Sequence, residues 1–399
     1  MFTEKQLENY ADVLVWGLRT ARERKYRKGD IVSIRYNLPA IRLVENIYAK
    51  LLRMGIRPVL RADLSSVMER CFFEISDSGQ LKFIPPGEKI LFRHLNGSIV
   101  VHAPESMTHL SGIDPKKIGE ATLARKPLRD LLDKRDEKGL FGWTLCIFPT
   151  PEMAGHAGLT IKEYTRQIVN ACYLDRPSPV SEWEAVFKNA VELKKWLNAM
   201  KVEYYHIESE NVDLKITPGE KRKWVGLSGH NIPSFELFIS PDWRGTDGVY
   251  FADQPSYRSG NLIHEIRLIF KKGSAVEMSA KKGGQFLKKQ LSIDKGADKV
   301  GEFSLTDKRF SKIDRFMANT LFDENYGGKY GNCHLALGSS YSDTYRGDVS
   351  ELTKGLKKKL GFNDSALHWD MVNTEKKRVT AHLKGGKEKT IYENGLFQY

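Results

Sequence analysis

Cysteine is scarce in this chain: four in 399 residues, Cys71, Cys146, Cys172 and Cys333, each standing alone. Without paired CxxC spacing no zinc ribbon or dithiol redox site can be built, and four are too few for a disulfide scaffold. They read mostly as small, buried apolar residues. Long hydrophobic runs are also missing. The most apolar stretch, Leu140 to Phe148, contains Gly142 and Thr144 and falls well short of the roughly 18 to 20 residues that cross a bilayer. The first residues, MFTEKQLENYADVLVWGL, bring acids early and no basic region ahead of an apolar one, so no signal peptide is expected. The composition leads us to expect a soluble, cytoplasmic protein without a membrane partner.

Common catalytic fingerprints are lacking too. No GxGxxG and no GxxxxGK[ST] occurs, which excludes a Rossmann cofactor site and a P-loop. His264-Glu265 opens like HExxH, but Leu268 stands where the second histidine is required, so a helical zincin is excluded. The Gly226-Leu-Ser-Gly229 run is one residue short of a GxSxG elbow, and a serine hydrolase is not expected. Cys333 and His334 are adjacent, and neighbours on a strand point to opposite faces, which argues against a nucleophile pair.

The chain does carry a formal charge of +13, with 41% hydrophobic and 28% charged residues, a globular composition. The lysines between Lys271 and Lys299 and at Lys357, Lys358 and Lys359 have no interleaved aromatics to stack bases, and no helix-turn-helix or zinc-finger spacing accompanies them. They read as a solvated face, so no nucleic-acid partner is expected. A basic nucleic-acid-binding module remains the non-enzymatic alternative, carried by charge alone.

At this length two domains are expected, divided near residue 200. Residues 1–200 alternate helical and strand periodicity. Leu7, Tyr10, Ala11, Leu14 and Leu18 keep helical spacing, Asp30 to Ile34 reads as a strand, and Val44, Ile47, Tyr48 and Leu51 mark a helix ending at Gly55. Strand signals recur at Pro58 to Leu60, Ser98 to Val101 and Trp143 to Phe148, with a polar helix through Leu128 to Leu132. This is the pattern of an α/β domain with a largely parallel sheet and flanking helices. Helices at 161–172 and 182–200 follow. From 201 to 399 short alternating runs, such as Asp213 to Thr217, Gly248 to Ala252, Glu265 to Phe270 and Ala275 to Ala280, predict an antiparallel, β-rich α+β domain.

In that half, short segments each present an acid or a histidine: Asn231 to Phe238, Val300 to Ser304, Asn319 to Asn325, Asn332 to Tyr341 and Ser365 to Met371. His368-Trp-Asp370 is the most telling. An i, i+2 pair on a strand puts both side chains on one face, about 6.5 to 7 Å apart along the chain, which suits ligands of one metal or of adjacent metals. A lone HxD, taken by itself, reads more readily as a surface hydrogen-bonded pair, and His206-Ile-Glu208, of the same shape, is taken as structural. Glu236 and Glu302 sit in apolar or glycine-containing surroundings where an unpaired carboxylate is costly. Each must reach solvent at a strand end or meet something positive, a metal or an arginine.

Taken together, NIP...E, GEF, TLFDEN, CHLALGSSY and HWD, with ADVLVWGL, FPTPEMAG and ACYLDRPSPVSEW earlier, resemble the M29 family of metallopeptidases, the aminopeptidase T type, over nearly the whole chain. The resemblance implies that Glu236, Glu302, His334, His368 and Asp370 ligate two metals, that Glu324 joins them, and that Tyr341 lies beside the site in a catalytic role. Such a ligand set suits Zn, Co or Mn. Glu302 is the candidate bridge between two divalent metal ions, which makes it catalytic along with Tyr341. The implied activity is a metal-dependent aminopeptidase acting on peptides with a free N-terminus, in a homodimer. The rival enzyme reading is another two-metal amidase or a carboxypeptidase.

Overall fold

The computed structural model describes every residue except Ser259, with the backbone alone at Pro115. The chain folds into two compact units, Met1–Trp183 with Ser228–Pro233, and Glu184–Leu227 with Ser234–Tyr399.

In the first unit, β1 (Ile31–Tyr36), β2 (Arg57–Ala62), β3 (Leu95–His102), β4 (Gly142–Ile147) and β5 (Asn231–Ile232) form a parallel sheet in the order β2-β1-β3-β4-β5. Helix α1 (Glu4–Thr20) starts at a capping box in which Thr3 and Gln6 exchange side-chain and backbone hydrogen bonds. Its periodic residues Leu7, Tyr10, Ala11, Leu14 and Leu18 are all buried, as their spacing predicts. Gly17 lies so close to the neighbouring chain that a Cβ there would meet the carbonyl oxygen of Gly229 at 2.9 Å. Helix α2 (Ile41–Arg53) buries Leu43, Val44, Ile47 and Leu51 and gives way at Gly55, whose φ of 72° favours glycine.

Helices α3 (Ser66–Ile75), α4 (Ser78–Lys82) and α5 (Glu88–His94) lead from β2 to β3, and α6 (Pro115–Asp136) leads from β3 to β4. The chain steps from β1 to β2 in one direction and from β2 past β1 to β3 in the other. Right-handed connections therefore put α2 on one face of the sheet and α3 to α6 on the opposite one. There Phe73, Leu81, Ile113 and Ala121 form a small core of their own. Helices α7 (Pro151–His156), α8 (Ile161–Ala171) and α9 (Pro179–Ala199) follow β4. Among the described residues no helix is long and apolar enough to cross a membrane.

The second unit holds two antiparallel sheets, as the short alternating runs predict. Nine strands between Val202 and Phe397 make the larger. One of them, Asn261–Lys271, turns Ile266, Leu268 and Phe270 fully inward while Arg267 stays exposed. The smaller sheet contains β6 (Glu236–Ile239), β7 (Val300–Thr306), β8 (Asn332–Gly338) and β9 (His368–Asn373) in the order β9-β8-β7-β6. Tyr250 of the larger sheet ties the two together, its hydroxyl donating to the carbonyl of Met371 at 2.6 Å.

Candidate metal centre

Alternation along the small sheet sorts its two faces. Phe303 and Leu305 on β7, Cys333, Leu335 and Leu337 on β8, and Trp369 and Met371 on β9 point one way, into an apolar core. Residues between them point the other way. Pairing then aligns the polar positions: Glu302 stands opposite Ala336, and Ala336 opposite Asp370; Ser304 pairs with His334, Thr306 with Glu236, and Gly338 with His368. Residues paired across strands share a face, so Glu236, Glu302, His334, His368 and Asp370 all project from the same side.

A bulge sets this register at β7, where the pairing shifts between Val300 and Glu302. The intervening Gly301 packs against the turn after β8, and a Cβ on it would sit 2.3 Å from the carbonyl oxygen of Ser339 and 2.4 Å from that of Gly338. Only glycine fits so close a backbone approach.

The side chains converge. Nε2 of His334 lies 3.2 Å from Oε1 of Glu302 and 3.2 Å from Oε2 of Glu236, and 3.8 Å from Oδ1 of Asp370. Nε2 of His368 lies 3.4 Å from Oδ1 of Asp370 and 3.8 Å from Oε2 of Glu302. The two oxygens of Glu302 thus face different histidines. Ser304 donates to Oε2 of Glu236 at 3.0 Å, and the Nδ1–H of His368 donates to the carbonyl of Ser339 at 2.9 Å. That last bond leaves Nε2 as the nitrogen turned to the cluster, the one that offers a lone pair once its proton is displaced.

Electrostatics in the cluster are severe. Burial raises the carboxyl of Glu236, and the charges of Glu302 and Asp370 raise it further against the pull of His334. For His334, burial alone lowers the imidazole, yet the hydrogen bond it donates to Glu302 and the fields of Glu236 and Asp370 outweigh it, bringing it to about 9. His368 reaches about 9 in the same way, with Asp370 the main opponent of burial. Asp370 goes the other way: burial lifts it, but His368 and then His334 draw it down to about 2. Among the described residues no lysine or arginine comes within ion-pair distance of Glu236, Glu302, Glu324 or Asp370. The effective penalty for a buried ion is several kcal/mol, so this many carboxylates require either protons or a cation.

Glu324 follows the short helix Thr320–Asp323 and is buried. Burial first, then the charges of Glu236, Asp370 and Glu302, push its carboxyl well up, which brings it within electrostatic reach of the cluster. Its backbone carbonyl accepts from Thr306 at 3.3 Å and from Asn332 at 3.1 Å, which ties it to β7 and β8 despite the glycine-rich stretch that follows. Tyr341 packs its ring edgewise on His368 with centroids 4.8 Å apart, and against Phe238 at 5.7 Å. Desolvation and the fields of Glu302, Asp370, Glu324 and Glu236 keep its phenol protonated.

Sequence reasoning passed over the supporting residues. Asn325 accepts the backbone N–H of Phe235 at 2.6 Å, fixing the entry to β6. Ser304, Thr306 and Asn332 share the polar face, and their strict alternation with apolar neighbours was the signal that could have found them. His206 lies outside the cluster and pairs with Asp213 at 2.7 Å. Cys333, buried on the apolar face, is turned away from His334.

Whether these groups fit a metal is a question of donor type and spacing. One ligand atom from each of Glu236, Glu302 and His334 lies within 4.8 Å of the others. Donors about 2.0 to 2.2 Å from one ion stand roughly 3.0 to 3.5 Å from each other, and the 3.2 Å separations around His334 match. Carboxylate and imidazole donors without a thiolate suit a borderline divalent ion. The fit is good.

A sheet face carrying convergent carboxylates and imidazoles, with no lysine or arginine among the described residues at ion-pair distance, is the face of a metalloenzyme. The chain matches the thermophilic metalloprotease family M29 over residues 3–397 and belongs to that family. Aminopeptidase AmpS of Bacillus subtilis is 31% identical over 272 residues, which make up 65% of this chain and 63% of that protein. Aminopeptidase T of Thermus thermophilus is 29% identical over 305 residues, 72% of each chain. The solved structure of wild-type AmpT from Thermus thermophilus has the same fold, with a TM-score of 0.81 over 98% of this chain and 99% of that one, at 24% identity.

Proposed function

We propose that this metalloprotease is an aminopeptidase that removes N-terminal residues from peptides at a centre for two divalent ions, Zn, Co or Mn, held by Glu236, Glu302, Glu324, His334, His368 and Asp370. The observation that carries the reading is the convergence of five of these donors on one buried sheet face. The placement of the two oxygens of Glu302 toward different histidines supports its role as the ligand shared by both ions. The catalytic half of the chain is accordingly 201–399, with 1–200 as the α/β domain that accompanies it.

When bound, such ions supply Lewis acidity, polarising the scissile carbonyl and acidifying a water. The remaining chemistry falls to the protein. A carboxylate of the centre with an oxygen left free would hold the proton taken from that water and return it to the leaving amine, while Glu302 would hold the two ions together. Tyr341, kept protonated beside four acids, donates a hydrogen bond to the oxygen that becomes negative in the transition state. The acidic surroundings favour a substrate's ammonium group, which restricts cleavage to a free N-terminus. Family likeness adds a homodimer acting in the cytoplasm, with peptides and not nucleic acid as partner.

The test is a comparison of an aminoacyl p-nitroanilide with its N-acetylated counterpart, alongside elemental analysis of protein purified without chelator. Release from the free amine only, with divalent metal present, is expected. Equal cleavage of the acetylated substrate would remove the exopeptidase assignment.

A further inference from the structure

The first unit contains an open cavity of about 500 Å³ that the proposed reaction does not use. Its volume falls inside the roughly 300 to 1,000 Å³ of small-molecule sites. Its floor is made where Asn37, Asp63 and His102 stand at the carboxyl ends of β1, β2 and β3, and its walls come from α3 and α6. In open α/β sheets ligands bind outside the carboxyl ends of the strands, at the point where strand order reverses. Here that point is the β1/β3 boundary, because α2 and α6 leave it on opposite faces.

The charges around the cavity define what it can take. Arg35 is matched by Asp63 at 2.6 Å, and Glu69 by His109 at 2.7 Å. Two groups are left over. Glu105 makes no hydrogen bond or ion pair among the described residues, and Arg125 bonds only the carbonyl of Ala121 in its own helix, at 3.0 Å. Leu64, Phe72 and Phe73 add an apolar wall. Arg35 is offset by Asp63 and Glu69 stands against His109, so Arg125 and Glu105 balance one another and the lining has no excess of positive charge to draw a phosphate. No glycine-rich phosphate loop follows any of the strands. One unmatched carboxylate, one unmatched guanidinium and an apolar surface together complement a small zwitterion with an apolar side chain.

We propose that this crevice binds a free apolar α-amino acid, with Glu105 receiving the ammonium and Arg125 the carboxylate. The choice of an amino acid among zwitterions rests on the peptidase reading, since that is what the reaction releases.

The experiment is calorimetric titration of L-leucine into the full chain and into Glu302→Gln, Arg125→Gln and Glu105→Gln variants, with leucinamide and N-acetyl-leucine as probes lacking one charge each. Saturable leucine binding to the wild type and to Glu302→Gln is expected. Arg125→Gln and Glu105→Gln should each weaken it at least tenfold while leaving peptide turnover unchanged, and neither single-charge probe should bind comparably. Wild-type affinity in Arg125→Gln overturns the proposal, as does loss of binding in Glu302→Gln, which would assign the amino acid to the metal centre. Leucine binding by a wild-type chain that cleaves no aminoacyl substrate when supplied with divalent metal would sink the peptidase reading and leave the crevice assignment standing.

Discussion

Oε1 of Glu302 lies 3.2 Å from Nε2 of His334, although 32 positions separate the two residues, while Oε2 of the same carboxylate turns to His368 at 3.8 Å. A single side chain joins the two halves of the donor set. If Glu302 is the shared ligand, Glu302→Gln removes the charge that lets two cations approach each other. Metal content should drop and turnover should fall by more than about 100-fold, beyond the cost typical of an outer-sphere partner. His368→Ala should do the same with an unchanged circular dichroism spectrum, and near-normal rates in either variant would count against the assignment.

Tyr341→Phe removes a hydroxyl and little else, because the ring contacts with His368 and Phe238 survive. The kcat should fall by about 100-fold or more, while metal stoichiometry stays at the wild-type value. A fall in metal content instead would make Tyr341 a structural neighbour of the centre.

The pH response of metal-free protein has a definite sign. His334 and His368, each raised from 6.5 to about 9, stabilise the fold fully below pH 6.5 and lose that contribution as pH climbs through 9. Glu236, also raised, pushes in the same direction. Asp370, lowered to about 2, loses its contribution only in acid, between about 3.8 and 2. Chelator-treated protein should therefore melt at a lower temperature at pH 9 than at pH 6.5. Metal uptake must displace these protons, so affinity should rise with pH across the same window and calorimetry should record proton release. A pH-independent affinity would mean that the donors are already deprotonated without metal.

Gly301→Ala tests the bulge. The added methyl would meet the carbonyl oxygens of Ser339 and Gly338, and a loss of about 1 to 3 kcal/mol is expected together with weaker metal binding, because Glu302 follows directly. Gly284→Ala, where nothing lies within 4 Å of the new methyl, is the control and should be close to neutral. Equal effects of the two substitutions would show that the close approach at Gly301 carries no particular weight.

Much of the molecule was legible beforehand. The helical spacing of Leu7 to Leu18 and the strand signals at 30–34, 58–60, 98–101 and 143–148 announced the parallel sheet, because burial of one stripe or of whole strands leaves a period in the residues themselves. Residues 66 to 94 carried a weaker signal, and their three short helices went unread: Val67, Met68, Ile75 and Ile90 are exposed, so apolar residues there do not mark an inward face. Asn231–Ile232, only two residues long, contains no period at all, and its place beside β4 is visible only in the fold.

By itself the sequence determined the donor types, the family, and the placement of His368 and Asp370 on one side of a strand, since an i, i+2 pair shares a face whatever surrounds it. Tertiary structure alone decided that Glu236, Glu302 and His334 meet. That depends on which strands pair and in what register, a choice made by packing between distant segments and by the bulge at Gly301, and a one-residue slip would turn those donors into the apolar core.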